Sequence, residues 1–466
     1  MNNILQYKLY YFLGIGGIGM SALARYFNLN KKQVIGYDKT ESELTHQLIN
    51  EGIKCYYEEN VEQLKQHLQN FSREEVLVIY TPAIPKEHTE FQYFQQNNFQ
   101  IKKRAEVLGE IINQYHCIAI AGTHGKTTTT SLITHIFYIS NKNIIAFSGG
   151  IMTNYNTNFI YRLNNSNEPV YSIAEADEYD KSFLKIFPET SVITSIDADH
   201  LDIYQTHQHL IDTYIQFTNN IKENGHLFVN KSVDKFFSNK KNITTYAVNL
   251  NGQIYADNIR FENNQMIFNL HIENKFFPNI ELGIPGYHNV WNALAAIGVA
   301  RHYNISFENI FNALKTFRGV KRRFEYHIKT DNLILIDDYA HHPEEIKAFL
   351  QSVRMHYPTK KITAIFQPHL YSRTKDFMND FAKVLSDYAD EIILLDIYPA
   401  RELPIEGITS QALLDKIQHN NKKLLSKKEL PHYLKDTHQE VILTIGAGDI
   451  ELLIPEIKSQ LLQKCE

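Results

Sequence analysis

The sequence predicts an α/β protein of about three domains. Three observations carry that reading. Strand-like and helix-like stretches alternate along the whole chain, which implies parallel sheets with helices on their faces. The alternation falls into three series. The length, 466 residues, divided by ~150 residues per domain, gives roughly three domains.

The first series covers 1–108, with strands at 8–13, 33–37 and 76–80 and a helix at 19–27. A second covers 109–318, with strands at 117–121, 170–174 and 191–196 and a helix at 127–139. Within it, 225–272 changes character. Short alternating runs such as Ile254-Tyr255-Ala256-Asp257 and Met266-Ile267-Phe268-Asn269-Leu270, separated by Asn263-Asn264, predict a small antiparallel sheet appended to the central domain. The third series covers 319–466, with strands at 333–336, 362–366, 391–395 and 441–445, and the joint falls near Arg318-Gly319.

Composition narrows the function class. With 43% apolar and 21% charged residues the chain reads as ordinary globular protein, and a net charge of -5 gives no general attraction to nucleic acid or an anionic membrane. Cys55, Cys117 and Cys465 are far apart and odd in number, which argues against a disulfide framework or a thiolate zinc site and for a reducing, cytoplasmic location. The apolar run at 9–15 ends in a glycine loop and reads as a strand rather than a signal peptide. No segment reaches the ~18 apolar residues that span a bilayer.

The strongest chemical signal is Gly122-Thr123-His124-Gly125-Lys126-Thr127-Thr128 between a strand and a helix. Such a loop turns unpaired N–H groups and the positive end of the helix dipole toward an anion. Lys126 reaches the β- and γ-phosphates of ATP, and the Thr127 hydroxyl suits Mg²⁺. The motif is a phosphate-loop variant, because the early glycine position is Ile120. Glu175-Ala176-Asp177-Glu178 and Asp197-Ala198-Asp199-His200 follow the next two buried strands. Carboxylates there are placed to hold Mg²⁺, and the three strand ends converge if the sheet is parallel.

Further along, Asn289 and Asn292 stand at i and i+3 on one helical face, where amides can read a base edge; helix capping by Asn289 is the alternative. Lys321-Arg322-Arg323-Phe324 is a basic cluster suited to phosphate. Asp337-Asp338-Tyr339-Ala340-His341-His342-Pro343 and Gln367-Pro368-His369-Leu370-Tyr371-Ser372-Arg373 follow strands of the third series, at the edge where open α/β sheets bind ligands. Adjacent histidines on a strand point apart, which disfavours a zinc site at His341-His342. Near the start, Gly14-Ile15-Gly16-Gly17-Ile18-Gly19, with Asp38 ending the next strand, offers a pyrophosphate cradle. Alone it would equally suit a nicotinamide dehydrogenase.

In this order, the motifs at Gly14–Gly19, Gly122–Thr128, Glu175–Glu178, Lys321–Phe324, Asp337–Pro343 and Phe366–His369 resemble the Mur ligase family over nearly the whole chain. The resemblance implies an N-terminal Rossmann-like domain for a UDP substrate, a central P-loop ATPase-like domain with a small antiparallel sheet, and a C-terminal Rossmann-like domain for an amino acid. It implies an ATP- and Mg²⁺-dependent ligase joining L-alanine to the lactyl carboxylate of UDP-N-acetylmuramate through an acyl phosphate, in peptidoglycan precursor synthesis. The enzyme would be a cytoplasmic monomer or homodimer with no nucleic-acid or membrane partner.

By residue, the resemblance implies that Gly14, Gly16, Gly17, Ile18, Gly19 and Asp38 bind the UDP substrate. Gly122, Thr123, His124, Gly125, Lys126, Thr127 and Thr128 would bind ATP, with Asn289 and Asn292 at adenine, Asp338 at ribose, and Arg322 or Arg323 at the phosphates. Thr127, Glu175 and His200 would hold Mg²⁺. Tyr339, His341 and Arg373 would surround alanine, and Lys126, His200, His341, His369 and Arg373 would act on the reacting groups. Several family members also carry a metal-supporting lysine downstream of Asp199-His200-Leu201-Asp202, whereas 213–220 contains none.

Overall fold

A computed structural model of the chain describes residues 4–164, 167–197, 201–249, 251–262, 265–400 and 402–463. It contains three sheets, distributed over two compact units. The first unit comprises Met1–Asn258, Phe268–Leu282 and Val290–Arg318; the second comprises Ile259–Ile267, Gly283–Asn289 and Gly319–Glu466. Among the described residues no helix is long and apolar enough to cross a membrane.

The N-terminal sheet runs Lys54–Tyr56, Gln33–Tyr37, Leu9–Leu13, Val76–Tyr80, Gln100–Lys103, all parallel. The central strand Leu9–Leu13 is buried along its full length, as a strand covered on both faces must be. Chain order reverses on either side of it, so the glycine loop that follows opens at the switch point, where such sheets leave a crevice.

Ten strands form the central sheet, in the order Lys275–Leu282, Gln265–Ile272, Ile254–Glu262, Ile243–Val248, His226–Asn230, Thr190–Ile193, His116–Ala121, Val170–Glu175, Asn143–Met152 and Thr157–Arg162. His116–Ala121 lies between Val170–Glu175 and Thr190–Ile193, parallel to both. The expected antiparallel part is smaller than 225–272 and is continuous with the main sheet. His226–Asn230, Ile243–Val248 and the start of Ile254–Glu262 pair in parallel. Reversal comes only after Ile254–Glu262, because its sheet neighbour Gln265–Ile272 follows after two residues and must run antiparallel to it; Glu273-Asn274, with φ values of 54° and 57°, fits the next tight two-residue hairpin turn, into Lys275–Leu282. Asn263-Asn264 lies outside the described residues. A second antiparallel pair, Asn143–Met152 with Thr157–Arg162, closes the other edge.

One helix ties the two sheets of the first unit together. Ile18–Leu29, buried from Met20 to Phe27, covers the N-terminal sheet and also packs on Asn143–Met152 and Thr157–Arg162. Tyr26 meets Phe147 and Phe159 at ring separations of 6.0 and 6.3 Å. The polar seam beside this contact is satisfied. Arg25 donates to Glu51 at 2.8 Å and to Asn158, and Asn158 donates to the Ile18 carbonyl at 2.5 Å and to Ser21 Oγ at 2.9 Å. Hydrophobic packing and one guanidinium thus fix the glycine loop's helix against the central sheet.

The second unit holds a six-stranded sheet, Glu325–Lys329, Ile334–Asp338, Val441–Ile445, Ile362–Phe366, Glu391–Leu394 and Lys422–Leu424. All pairs are parallel except the edge strand Glu325–Lys329. Val441–Ile445 sits between Ile334–Asp338 and Ile362–Phe366, so three strand ends lie side by side.

Arg25 gives a direct test of the seam. Arg25→Leu should destabilise the first unit by about 2–3 kcal/mol, because buried acceptors lose a charged donor. The measurement is the urea midpoint of the full chain; an unchanged midpoint contradicts the assignment.

Candidate active site

The phosphate loop is built by strand register. Ile120 aligns with Glu175 and Ala121 with Ile193, so the ends of three parallel strands stand level. Gly122 has φ +131°, and a Cβ there would meet Thr194 Oγ1 at 2.0 Å and the Thr194 and Ser195 amides at 2.9 Å. Only glycine fits. Gly125 caps the following helix, Lys126–Ile139, at φ +80°.

The turn after Thr190–Ile193 clamps the loop through hydroxyls paired with main-chain groups. Thr123 N donates to the Ser195 carbonyl at 3.1 Å, His124 N to Ser195 Oγ at 3.0 Å, and Thr194 Oγ1 to the His124 carbonyl at 2.5 Å. Asp197 N donates to Thr123 Oγ1 at 2.9 Å. Thr128 is buried in the first turn of the helix. Neither Thr194 nor Ser195 stands out in the sequence as a partner of the loop, although their place just after a buried strand was a usable signal.

Lys126 points back along the loop. Its Nζ donates to both oxygens of Glu178 at 2.8 Å and to the Gly122 carbonyl at 2.6 Å. Burial opposes its charge, but Glu178, Asp177 and Glu175 outweigh that and hold its pKa above the ordinary lysine value. Glu178 lies inside the quoted acidic motif, yet sequence reasoning gave it no role. Glu175 accepts from Thr127 Oγ1 at 3.0 Å and from Gly149 N at 2.5 Å. Burial raises its pKa against those bonds and against Lys126. A buried carboxylate beside a threonine hydroxyl is a hard oxygen donor pair, and a divalent cation there would offset the burial cost. The residues fit Mg²⁺. Among the described residues no group of three or more His, Cys, Asp or Glu side chains forms a metal cluster. His200 lies outside the described residues.

Asn292, on the helix Tyr287–His302, joins the same centre. Its Oδ1 accepts from Thr129 Oγ1 at 3.2 Å, and a Cβ on Gly125 would fall 2.5 Å from it. Asn289 is also buried, and its Nδ2 donates to the Pro285 carbonyl at 2.5 Å.

At the N-terminal loop, Gly14 (φ +88°) starts the turn and Gly17 caps the helix Ile18–Leu29 without a side-chain bond. Asp38 accepts from Gly16 N at 2.8 Å and from Thr40 N at 3.0 Å, so it shapes the loop itself.

In the second unit the strand ends gather the remaining residues, and the two arginines separate. Arg322 is committed to the interior: it donates to Asp337 at 3.0 Å and the Gly446 carbonyl at 2.6 Å, and pairs with Glu451 at 3.0 Å. Arg323 stands 3.9 Å from Glu345 and over the Tyr339 ring at 5.2 Å, leaving it the better placed of the pair for an anion. Asp338 accepts from Phe324 N and Ala340 N, both at 2.8 Å; burial nevertheless pushes its carboxyl up to about 6, with Arg323 and these amides opposing. His341 Nδ1 donates to the Tyr339 carbonyl at 3.0 Å, and its ring lies 6.0 Å from that of His369. His342 caps the helix Pro343–His356, its Nδ1 accepting from Glu344 N at 3.3 Å. Arg373 lies on the short helix Tyr371–Asp376, close enough to act on His341 electrostatically.

Burial, reinforced by Arg373 and Arg323 and opposed by Glu345, lowers the His341 pKa to about 4. Its ring is therefore a neutral acceptor at Nε2 near pH 7. An unfolded chain takes up this proton near pH 6.5, the native one only near 4, so His341 costs stability as pH falls through that window. Ring NMR should give His341 a pKa near 4, and His341→Gln should flatten the stability loss between pH 6.5 and 4. An ordinary pKa near 6.5 contradicts the burial argument.

Comparison with known proteins agrees with this geometry. Residues 9–116 match the model of the Mur ligase family catalytic domain, 120–300 the Mur ligase middle domain, and 322–452 the Mur ligase glutamate ligase domain. A UDP-N-acetylmuramate–L-alanine ligase of Flavobacterium psychrophilum is 49% identical over 462 residues, covering 99% of this chain and 100% of that one. The enzyme of the same name from Christiangramia forsetii is 45% identical over 464 residues, covering 100% of both. Among solved structures, the UDP-N-acetylmuramate-alanine ligase of Thermotoga maritima superposes with a TM-score of 0.80 at 27% identity, covering 98% of this chain and 99% of that one. The order of the three sheets, the lysine-bearing phosphate loop and these end-to-end matches place the chain in the Mur ligase family.

Proposed function

We propose that this chain ligates L-alanine to the lactyl carboxylate of UDP-N-acetylmuramate at the expense of ATP, in peptidoglycan precursor synthesis. The observation that carries the reading is the end-to-end likeness to L-alanine ligases from related chains. The gathering of Lys126, Thr127 and Glu175 at one helix start supports it.

The lactyl carboxylate oxygen attacks the γ-phosphorus, the bond to the β-phosphate oxygen breaks, and ADP leaves an acyl phosphate. The alanine amine then attacks the acyl carbon, loses a proton, and expels phosphate. Two anions must meet in the first step, so the protein's task is positioning and charge neutralisation. Gly122, Thr123, His124, Gly125 and Thr128 cradle the phosphates of ATP, with Asn289 and Asn292 toward adenine and Asp338 toward ribose. Lys126 supplies positive charge to the transferring group, exchanging Glu178 for phosphate oxygen. Thr127 and Glu175 would hold Mg²⁺, which supplies further charge neutralisation. Arg323 and Arg373 balance the acyl phosphate. His341, its Nδ1 proton engaged by the Tyr339 carbonyl, presents Nε2 as an acceptor to an N–H of the incoming amine, with His369 beside it.

The domains of this reading are 1–108 for the UDP substrate, 109–318 for ATP and 319–466 for the amino acid. Phosphate release from ATP should require both UDP-N-acetylmuramate and L-alanine; release independent of either co-substrate sinks the assignment. Lys126→Ala should reduce ligation by at least about 10³-fold, as expected on losing a charge at the transferring phosphoryl group, while circular dichroism stays native. Near-normal turnover in that variant removes the mechanism.

A further inference from the structure

The short helix Tyr371–Asp376 carries Arg373 as the third of its six residues. A helix this short is not stable by itself, because nucleation fixes several dihedrals before hydrogen bonds accumulate. Its start is also unfavourable. The N-cap, Leu370, has a left-handed φ of +71° and offers no side-chain cap. An L side chain at that φ is strained, and persists only where its surroundings over-determine it.

Those surroundings come from a loop thirty residues further on. Glu402 Oε2 accepts from Ser372 N at 2.9 Å, and Ser372 Oγ donates to Glu402 Oε1. Both carboxylate oxygens are thus committed to the residue beside Arg373. Glu402 N donates in turn to the Pro399 carbonyl at 2.9 Å, which closes the loop into a turn. The same loop grips the chain just before the helix. Leu370 N donates to the Tyr398 carbonyl at 3.0 Å and Tyr398 N to the Pro368 carbonyl at 2.8 Å. The Tyr398 ring lies 5.7 Å from that of His369 and within 18° of parallel to it. From inside the helix, Thr374 Oγ1 donates to the Leu370 carbonyl at 2.7 Å.

One loop therefore supports two residues of the amino-acid site, His369 through Tyr398 and Arg373 through Glu402. Glu402 is the stronger support, a carboxylate at a helix start that accepts two hydrogen bonds. The loop follows Glu391–Leu394, which pairs in parallel with Ile362–Phe366, the strand that leads into His369. Sheet register thus places Arg373, which its own six-residue helix could not do.

We propose that Glu402 is a positioning residue for the ligation: it acts through Ser372 to aim Arg373 at the amino acid and acyl phosphate beside His341. The proposal rests on the substrate reading given above. The placement of Arg373 also has a consequence that needs no substrate. Burial is the main cause of the low His341 pKa and Glu345 opposes it, while Arg373 adds to the lowering. Arg373 swung away from His341 relaxes that contribution, so the His341 pKa rises.

Two measurements on the full chain test this: kcat/KM for L-alanine from phosphate release, and the His341 ring pKa by NMR without substrates. Glu402→Ala should lower kcat/KM for L-alanine about tenfold, as expected when a charged contact that orients a reacting group is lost. It should leave the KM for ATP unchanged and move the His341 pKa upward. Combined with Arg373→Ala, it should add nothing to either effect of Arg373→Ala alone, since residues acting through one group are not additive. Glu402→Gln keeps a neutral acceptor for Ser372 N and should recover part of both losses. If Glu402→Ala fails to fold, Glu402→Gln decides, with smaller changes in the same directions. Unchanged alanine kinetics or an unmoved His341 pKa in a folded variant overturns the proposal. Additive losses in the double variant overturn it too, as does an equal rise in the KM for ATP, which marks a general structural role. If the unaltered chain does not use L-alanine, the substrate reading falls, and the His341 shift alone decides whether Glu402 positions Arg373.

Discussion

A buried ammonium cannot stand alone, and the arrangement around Lys126 follows from that constraint. Desolvation works against the charge, so the fold must bring carboxylates to it. Parallel pairing of His116–Ala121 with Val170–Glu175 does so by register, placing Glu175 level with the root of the loop and Glu178 two hydrogen bonds from Nζ. The same carboxylates make the site costly in isolation. Burial raises the Glu175 pKa against the Gly149 amide and Lys126, and Lys126 in turn keeps its charge through Glu178, Asp177 and Glu175. A site assembled in this way is ready for a ligand that adds both negative phosphate and positive metal.

The two strand-to-helix loops of the first unit use one device for different ends. Both place a glycine at the helix start, with no side-chain cap at Gly17 or Gly125, leaving amide protons for an anion. At Gly122–Thr127 the cation comes from within the loop, as Lys126. The loop at Gly14–Gly19 contains no cation, and Arg104 packs against Gly19 from another strand-helix junction.

Electrostatics differ at the strand ends of the second unit. There Arg322 is consumed in holding Asp337, Glu451 and the Gly446 carbonyl, which locks the turn after Val441–Ile445 against Ile334–Asp338. Asp338 and His341 are driven by burial toward their neutral forms. Near pH 7 the His341 ring is therefore a neutral acceptor, whereas Asp338, with its carboxyl at about 6, is still mostly ionised.

The sequence by itself determined the class of fold, the three parallel-strand series, the phosphate loop and the acidic motif, because periodicity and glycine-lysine-threonine spacing are local properties. It placed the C-terminal strand ends beside one another only by analogy with other open sheets. Other features lay beyond it. Edge strands such as Glu325–Lys329 and Lys422–Leu424 are short and half-exposed, so they carry no apolar run to read. The parallel continuation through His226–Asn230 and Ile243–Val248 looks the same in sequence as a hairpin. Partnership across the fold was decided by tertiary structure alone. Glu178 meets Lys126 across 52 residues, Asn292 meets Thr129 across 163, and Arg104 meets Gly19 because a helix packs where no local pattern points. Side-chain geometry of that kind depends on how sheets stack and strands register, and local spacing holds no record of either.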